Sequence, residues 1–248
     1  MTGFSDYTDS ILSALQGSSK SQEVIGKKKE ILDEIYRFHN FEPESILFVG
    51  FSPAILSAGK KTIYVTEMSQ DAQDYLTQNR VKYTYIPRAD LGDYAKQFDC
   101  TVALDEYFTF AANDQQQQDT IAEFCKVTRE MLISTLRDYK NLDFKDKEFS
   151  QPGIVRNSGV NRLFFEFHDW NPKDRSSWKS SLYEIANPET EVIEYGPYER
   201  RTMYFKQLAK FSKDSGAEDF LVHKNLMYKS LIKKNYEHVI SIRFEDGY

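Results

Sequence analysis

Ile46-Leu47-Phe48-Val49-Gly50-Phe51-Ser52-Pro53-Ala54 sets how the rest of the chain is understood: an unbroken apolar run ends in a turn of glycine and small residues. A strand buried on both faces of a parallel sheet has that continuous pattern, and a glycine directly after it lets backbone approach a ligand closely. A second apolar run, Thr62 to Thr66, follows, and Glu67 closes it. An acid at the end of the second strand is placed to accept hydrogen bonds from ribose hydroxyls. Of the glycines usual in such a turn only the first is present. Ser52 and Ala54 or Ile55 fall where the others stand, so the stretch speaks for a fold more firmly than for an activity.

Outward from this turn, strands and helices alternate. Periodicity predicts strands at 46–49, 62–66, 83–86, 98–104 and 131–136, with helices over 53–58, 69–80 and 114–129 among them. Ser69 is the expected N-cap of the second helix. Such alternation argues for a mainly parallel sheet with helices on both faces. Upstream, Val24, Ile31, Ile35 and Phe38 recur at helical spacing from Ser21, Leu32 and Tyr36 widen the stripe, and Lys27, Lys28 and Lys29 form a solvated opposite face. Residues 1–21, rich in Ser, Asp, Thr and Gly with a short apolar patch at Ile11, Leu12 and Leu15, are expected as a flexible arm, the alternative being a short docking helix. Residues 138–196 break the rhythm: strand-like runs at 162–168 and 191–195 flank a loop bounded by Trp170 and Trp178. A helix over 200–215 stopped by Gly216 and two strands, 219–223 and 238–244, close the chain. The expected organisation is an arm over 1–21 and one domain over 22–248, with 138–196 as an inserted cap.

Composition narrows the classes. A chain of 248 residues that is 40% hydrophobic and 28% charged can bury the core of one large domain. A formal charge of −6 and a pI near 5.4 argue against broad attraction to nucleic acid or an anionic membrane. No apolar run approaches the ~18 residues of a membrane span. Cys100 and Cys125 lie far apart in apolar segments and are expected as reduced core thiols, which fits a cytoplasmic protein. His39, His168, His223 and His238 have no metal-binding spacing, so no metal is expected. Gly59-Lys60-Lys61-Thr62 lacks the upstream glycine of a phosphate loop, and no Gly-x-Ser-x-Gly elbow occurs.

From Glu42 to Phe244 these elements resemble the class I S-adenosylmethionine-dependent methyltransferase family. The resemblance implies a Rossmann-like α/β fold: a mainly parallel seven-stranded sheet with an antiparallel last strand, helices on both faces and an insertion after strand 5. It implies that Gly50, Phe51 and Ser52 cradle the methionine part of S-adenosylmethionine, that Glu67 holds the ribose, and that Met68 meets the adenine. Asp90, with Leu91 beside it, takes the position of the acid that holds the adenine amino group. Phe98-Asp99-Cys100-Thr101-Val102-Ala103-Leu104 is similar to the family's fourth strand, and Asp105-Glu106-Tyr107 then stand where cofactor and acceptor meet, as candidates for the catalytic groups. His168 and Asp169, at the end of an inserted strand, are further acid–base candidates. Asp105-Glu106-Tyr107-Phe108 is not the Asp-Pro-Pro-Tyr signature of DNA amino-methyltransferases, so the implied acceptor is a small molecule or a protein side chain.

Methyl transfer from a sulfonium needs alignment more than a fixed triad, with a base where the acceptor carries a proton. Departures from the family pattern open a second reading. Phe48 replaces the acid usual two residues before the first glycine, and Pro53 removes a backbone donor at the turn. A fold of this kind that no longer catalyses, and that serves as a binding or assembly component through self-association or another partner, accounts for both. A nicotinamide-dependent enzyme is disfavoured by Ile55 at the third glycine position.

Overall fold

A computed structural model describes residues 3–16, 21–141, 147–149, 153–157, 160–173, 176–187, 191–229 and 236–245. In chain order the elements are α1 (Phe4–Gln16), α2 (Ser21–Phe38), β1 (Ser45–Val49), β2 (Thr62–Thr66), α3 (Gln70–Gln78), β3 (Thr84–Tyr85), β4 (Phe98–Ala103), α4 (Asp114–Val127), β5 (Thr128–Leu136), β6 (Lys147–Phe149), β7 (Gly153–Asn157), β8 (Val160–Trp170), β9 (Ser177–Asn187), β10 (Glu191–Arg201), α5 (Phe205–Asp214), β11 (Asp219–Lys229) and β12 (Tyr236–Arg243). Seven strands form the main sheet in the order β11-β12-β5-β4-β1-β2-β3. β1 to β5 pair in parallel, and β12 enters antiparallel between β5 and β11. The expected α/β fold, a mainly parallel sheet closed by an antiparallel last strand, is the one observed. Ile46 to Val49 and all of β4 are buried, as their continuous apolar runs require.

Between β1 and β2 a 3-10 turn, Pro53–Ser57, replaces the long crossover helix usual in parallel units; Ser52 caps it, accepting from Ala54 N at 3.4 Å. The short crossover leaves an opening of about 660 Å³ on the sheet face beside α2, bordered by Leu32, Tyr36, Phe48 and Ala54. α2 buries Leu32, Ile35 and Tyr36 of its expected stripe and Ile25 besides, while Val24 and Ile31 are only partly buried. Two details differ. Phe38 is exposed at the helix end, and Lys28 is buried with Nζ 3.4 Å above the Tyr228 ring, whereas Lys27 and Lys29 pair with Glu23 and Asp33 on the outer face.

Of the two expectations for the N-terminal segment, the docking helix is the one observed: Phe4–Gln16 form α1 in place of a flexible arm. Its apolar patch at Ile11, Leu12 and Leu15 extends backwards through Tyr7 and Phe4, one helical turn apart, and this whole face is buried.

The segment between β5 and α5 carries a second, antiparallel sheet in the order β10-β9-β8-β6, with β7 also pairing β8. Three of its strands, β6, β7 and β9, escape the periodicity reading, and β10 runs beyond its expected end. The reason is visible in β9: the side facing the main domain presents Trp178, Ser180, Leu182 and Glu184, all buried. A strand whose inner face is half polar has no apolar alternation to read. Opposite it, β8 turns Phe164, Glu166, His168 and Trp170 inward.

Among the described residues no helix is long and apolar enough to cross a membrane, and no group of three or more His, Cys, Asp or Glu side chains is arranged to hold a metal. Cys100 and Cys125 are free and buried.

Candidate active site

The ends of β1, β2 and β4 lie side by side, and four residues with positive φ mark them. Gly50 has φ +70° and donates its N–H to Thr66 O at 2.8 Å, fixing the turn after β1 against the end of β2. Glu67 has φ +50°, and Asp105 and Glu106 follow one another at +56° and +58°. Non-glycine residues seldom occupy this region, and of six among the described residues three, Glu67, Asp105 and Glu106, fall at these strand ends.

Glu67 faces an opening of about 560 Å³ lined also by Arg88, Asn113, Gln115, Gln116, Asp119, Thr120 and Glu123. Arg88 Nη1 donates to Glu67 Oε1 at 2.6 Å; the same guanidinium donates to Glu123 Oε2 at 2.7 Å, to Thr120 Oγ1 at 3.1 Å and to the Tyr107 hydroxyl. Burial opposes the charge of Arg88, but Tyr107, Glu67 and Glu123 together outweigh it and raise its pKa. Burial, with Glu67 second, raises that of Tyr107. Met68 and Leu91 are buried, whereas Asp90 is exposed.

The Gly50 end is filled. A Cβ placed on Gly50 meets Phe4 Cε1 at 2.5 Å and Thr8 Cγ2 at 3.0 Å, so α1 lies directly on the turn and only glycine fits beneath it. The Phe4 ring stands edge-on to Tyr107 at 4.7 Å and to Phe110 at 4.9 Å. Neither Phe48 nor Phe51 plugs the turn; Phe51 is buried edge-on to Tyr75, with ring centres 6.0 Å apart. Ser69, the N-cap of α3, donates to Asp9, and Ser13 donates to Glu184 at 3.1 Å, so α1 is tied both to the main sheet and to the second one.

Beyond this helix lies a buried polar cluster. Asp105 Oδ2 accepts from the Tyr228 hydroxyl at 2.6 Å, while Oδ1 has no hydrogen-bond partner. Glu106 accepts from Arg137 Nε at 2.8 Å and from the Tyr139 hydroxyl, with Arg200 Nη2 at 3.6 Å. Arg200 also lies 3.5 Å from Glu166, which sits 3.1 Å from His168 Nε2, and its guanidinium stacks 3.9 Å over Phe110. Burial disfavours the charge of Arg137, and the carboxylate of Glu106 more than restores it. Tyr7, on α1, has its pKa raised by burial first and then by Glu166 and Asp105, placing its hydroxyl among these acids.

Of the residues singled out in the sequence, Glu67 lines the opening and Tyr107 is held to its partner Arg88, whereas Gly50 lies beneath α1 and Asp105 and Glu106 belong to the buried cluster behind that helix. His168 joins the buried cluster, whereas Asp169, the next residue, faces solvent on the other side of β8. Sequence reasoning missed Arg88 as the partner of Glu67, and it missed Tyr7, Arg137, Tyr139 and Arg200. The signal for Arg137 and Tyr139 was their place just past β5, at the same sheet edge as Asp105. Arg200 and Tyr7 come from distant segments and left no local sign.

No family model and no curated protein matches the sequence. Solved structures do. The chain is similar to a sugar N-methyltransferase, KedS8, from Streptoalloteichus, at 11% identity over 91% of this chain and 90% of that one, with a TM-score of 0.65. It is similar to the S-adenosylmethionine-bound amino pentose methyltransferase CalS10 of Micromonospora echinaspora (10% identity, 93% and 94% covered, TM-score 0.63). A third is an S-adenosylmethionine-dependent methyltransferase from Clostridium acetobutylicum (10% identity, 88% and 91% covered, TM-score 0.62). The fold is thus that of the S-adenosylmethionine-dependent methyltransferases over nearly the whole chain.

Proposed function

We propose that this protein is an S-adenosylmethionine-dependent methyltransferase acting on a small molecule or a protein side chain, with α1 closed over its cofactor turn. The observation that carries the reading is Glu67: a carboxylate in the left-handed conformation at the end of β2, beside the Gly50 turn and facing an opening of about 560 Å³. The adenosyl half of the cofactor fits there, with Glu67 taking the ribose hydroxyls in exchange for one bond from Arg88. The methionyl half fits only when Phe4 leaves Gly50.

Bound in this way, the cofactor supplies a methyl group on a positively charged sulfur. Asp105 has one uncommitted oxygen and is the group we assign to take a proton from the acceptor. Glu106, held between Arg137 and Tyr139, keeps the loop after β4 in place, and Tyr107 fixes Arg88. The aromatic and polar inner face of the second sheet closes the acceptor side. Two neighbours named as methyltransferases of sugars are in keeping with a small-molecule acceptor. The free, buried thiols agree with a cytoplasmic location.

Titration calorimetry tests the proposal: S-adenosylmethionine or S-adenosylhomocysteine binds, and Glu67→Ala weakens binding by at least ~1 kcal/mol through loss of charge-assisted hydrogen bonds. The second reading, a silent fold used for assembly, is favoured by the Phe4 ring on Gly50 and by Arg88 on Glu67. It predicts no binding at millimolar ligand, even after Phe4→Ala.

A further inference from the structure

The face of the second sheet turned away from the main domain has no helix or strand packed on it among the described residues, and much of it is apolar. Phe149, Phe165 and Phe167 meet there, with ring centres 5.8 and 5.0 Å from Phe149, and Phe165 stacks on Tyr183 at 5.2 Å. The cross-strand pairs Phe165↔Tyr183, Leu163↔Ile185 and Val192↔Ile185 extend the apolar area across β8, β9 and β10. Phe149 is 67% and Val192 59% exposed, values at which rings and β-branched side chains lose most of their burial free energy.

A row of charges crosses the same face at one end. The register aligns Lys147 of β6 with Asp169 of β8, Asp169 with Lys179 of β9, and Lys179 with Glu199 of β10. The row reads plus, minus, plus, minus. Lys179 and Glu199 pair at 3.1 Å while remaining more than half exposed.

We propose that this face docks a second copy of the chain about a two-fold axis lying between the two sheets and parallel to their strands. Such an axis turns the row end for end. Lys147 then meets the second copy's Glu199, and Asp169 meets the second copy's Lys179, so every charge faces its opposite; a row of any other order with these four charges at the same spacing fails this unless it is likewise antisymmetric. The rings and aliphatic side chains pack face to face as in an aligned sandwich. The area is of the right order: three eleven-residue strands, about 36 Å long and 4.8 Å apart, with the short β6 and β7 end to end beside β8, present roughly 650 Å², against the ~800 Å² that each partner of a stable complex covers. This inference does not depend on the methyltransferase reading.

Sedimentation equilibrium of the full chain tests it, with circular dichroism to confirm folding. The wild-type chain sediments at twice its 29.0 kDa mass. Lys179→Glu sets two acids against each other across the axis, and Asp169→Lys sets two lysines; each weakens self-association at least about tenfold. Mixed together, the two variants form a heterodimer within about threefold of wild-type affinity, because Glu at 179 in one copy faces Lys at 169 in the other. A wild-type monomer at every concentration overturns the proposal and leaves the face for another partner. Singles that dimerise normally, or a mixture that stays as weak as its components, overturn the axis and the pairing.

Discussion

The two ends of the cleft are closed in different ways. At Glu67 the cover is an ion pair beside an opening of about 560 Å³; at Gly50 it is an aromatic ring packed on backbone. A partly exposed arginine–carboxylate contact exchanges partners at a cost of about 1–3 kcal/mol, since a ribose hydroxyl returns a hydrogen bond to the same carboxylate. Displacing a buried Phe exposes its apolar area, about 2–3 kcal/mol, and also breaks its ring contacts with Tyr107 and Phe110. On the methyltransferase reading, α1 is then the costlier of the two covers to open. Two covers that look alike in outline differ in what must move.

The buried cluster behind α1 sets the largest expected effect. Arg137→Met leaves Glu106 buried without its closest cation and costs about 3–5 kcal/mol, measured as a shift of the urea unfolding midpoint. A loss below ~1 kcal/mol would mean that the cluster is open to water. Phe4→Ala comes next: about 3 kcal/mol of stability is lost, while S-adenosylhomocysteine binds more tightly because the ring no longer has to leave. Unchanged affinity in calorimetry would place the barrier elsewhere and erase the contrast between the ends. Glu67→Ala costs ~1 kcal/mol of ligand binding and does so equally in the Phe4→Ala background if the ends act independently.

The smallest effect is a pH dependence remote from both ends. His39 and His223 share the Ser241 hydroxyl at 2.8 and 2.9 Å. Burial lowers the pKa of each, helped by Arg243 at His39 and by His39 at His223. The unfolded chain therefore binds more protons than the folded one below the ordinary histidine value of about 6.5. Stability is full above that pH and falls as pH drops towards the folded values. Replacing both by Gln flattens the thermal-midpoint profile between about pH 5 and 7 and leaves ligand binding unaltered.

Much of the main sheet was legible because its strands are buried on both faces: Ile46–Val49 and Phe98–Ala103 announce themselves as continuous apolar runs, and Glu67 and Asp105 stand at their ends or those of their neighbours. The second sheet was less so. Ser180, Glu184, Glu166 and His168 face inward to serve a polar interior, which erases the alternation that periodicity detects. α1 was hidden for another reason. Its stripe mixes Phe4 and Tyr7 with Thr8 and Ser10, whose hydroxyls bond back to Ser5 O and Tyr7 O, so composition suggests an arm where tertiary contact makes a helix. Arg88 lay in view beside Asp90, but its role depends on Glu123 and Tyr107 converging from α4 and the loop after β4.

The truncated crossover after β1 has one more consequence. A full helix there would present aligned amide dipoles to the carboxylate of an amino acid, but a five-residue 3-10 turn that opens with Pro53 offers almost none. On the methyltransferase reading, selectivity in this cleft would then rest on the nucleoside. 5′-Methylthioadenosine, which lacks the amino-acid tail altogether and leaves Phe4 on Gly50, should then compete at least as well as the intact sulfonium.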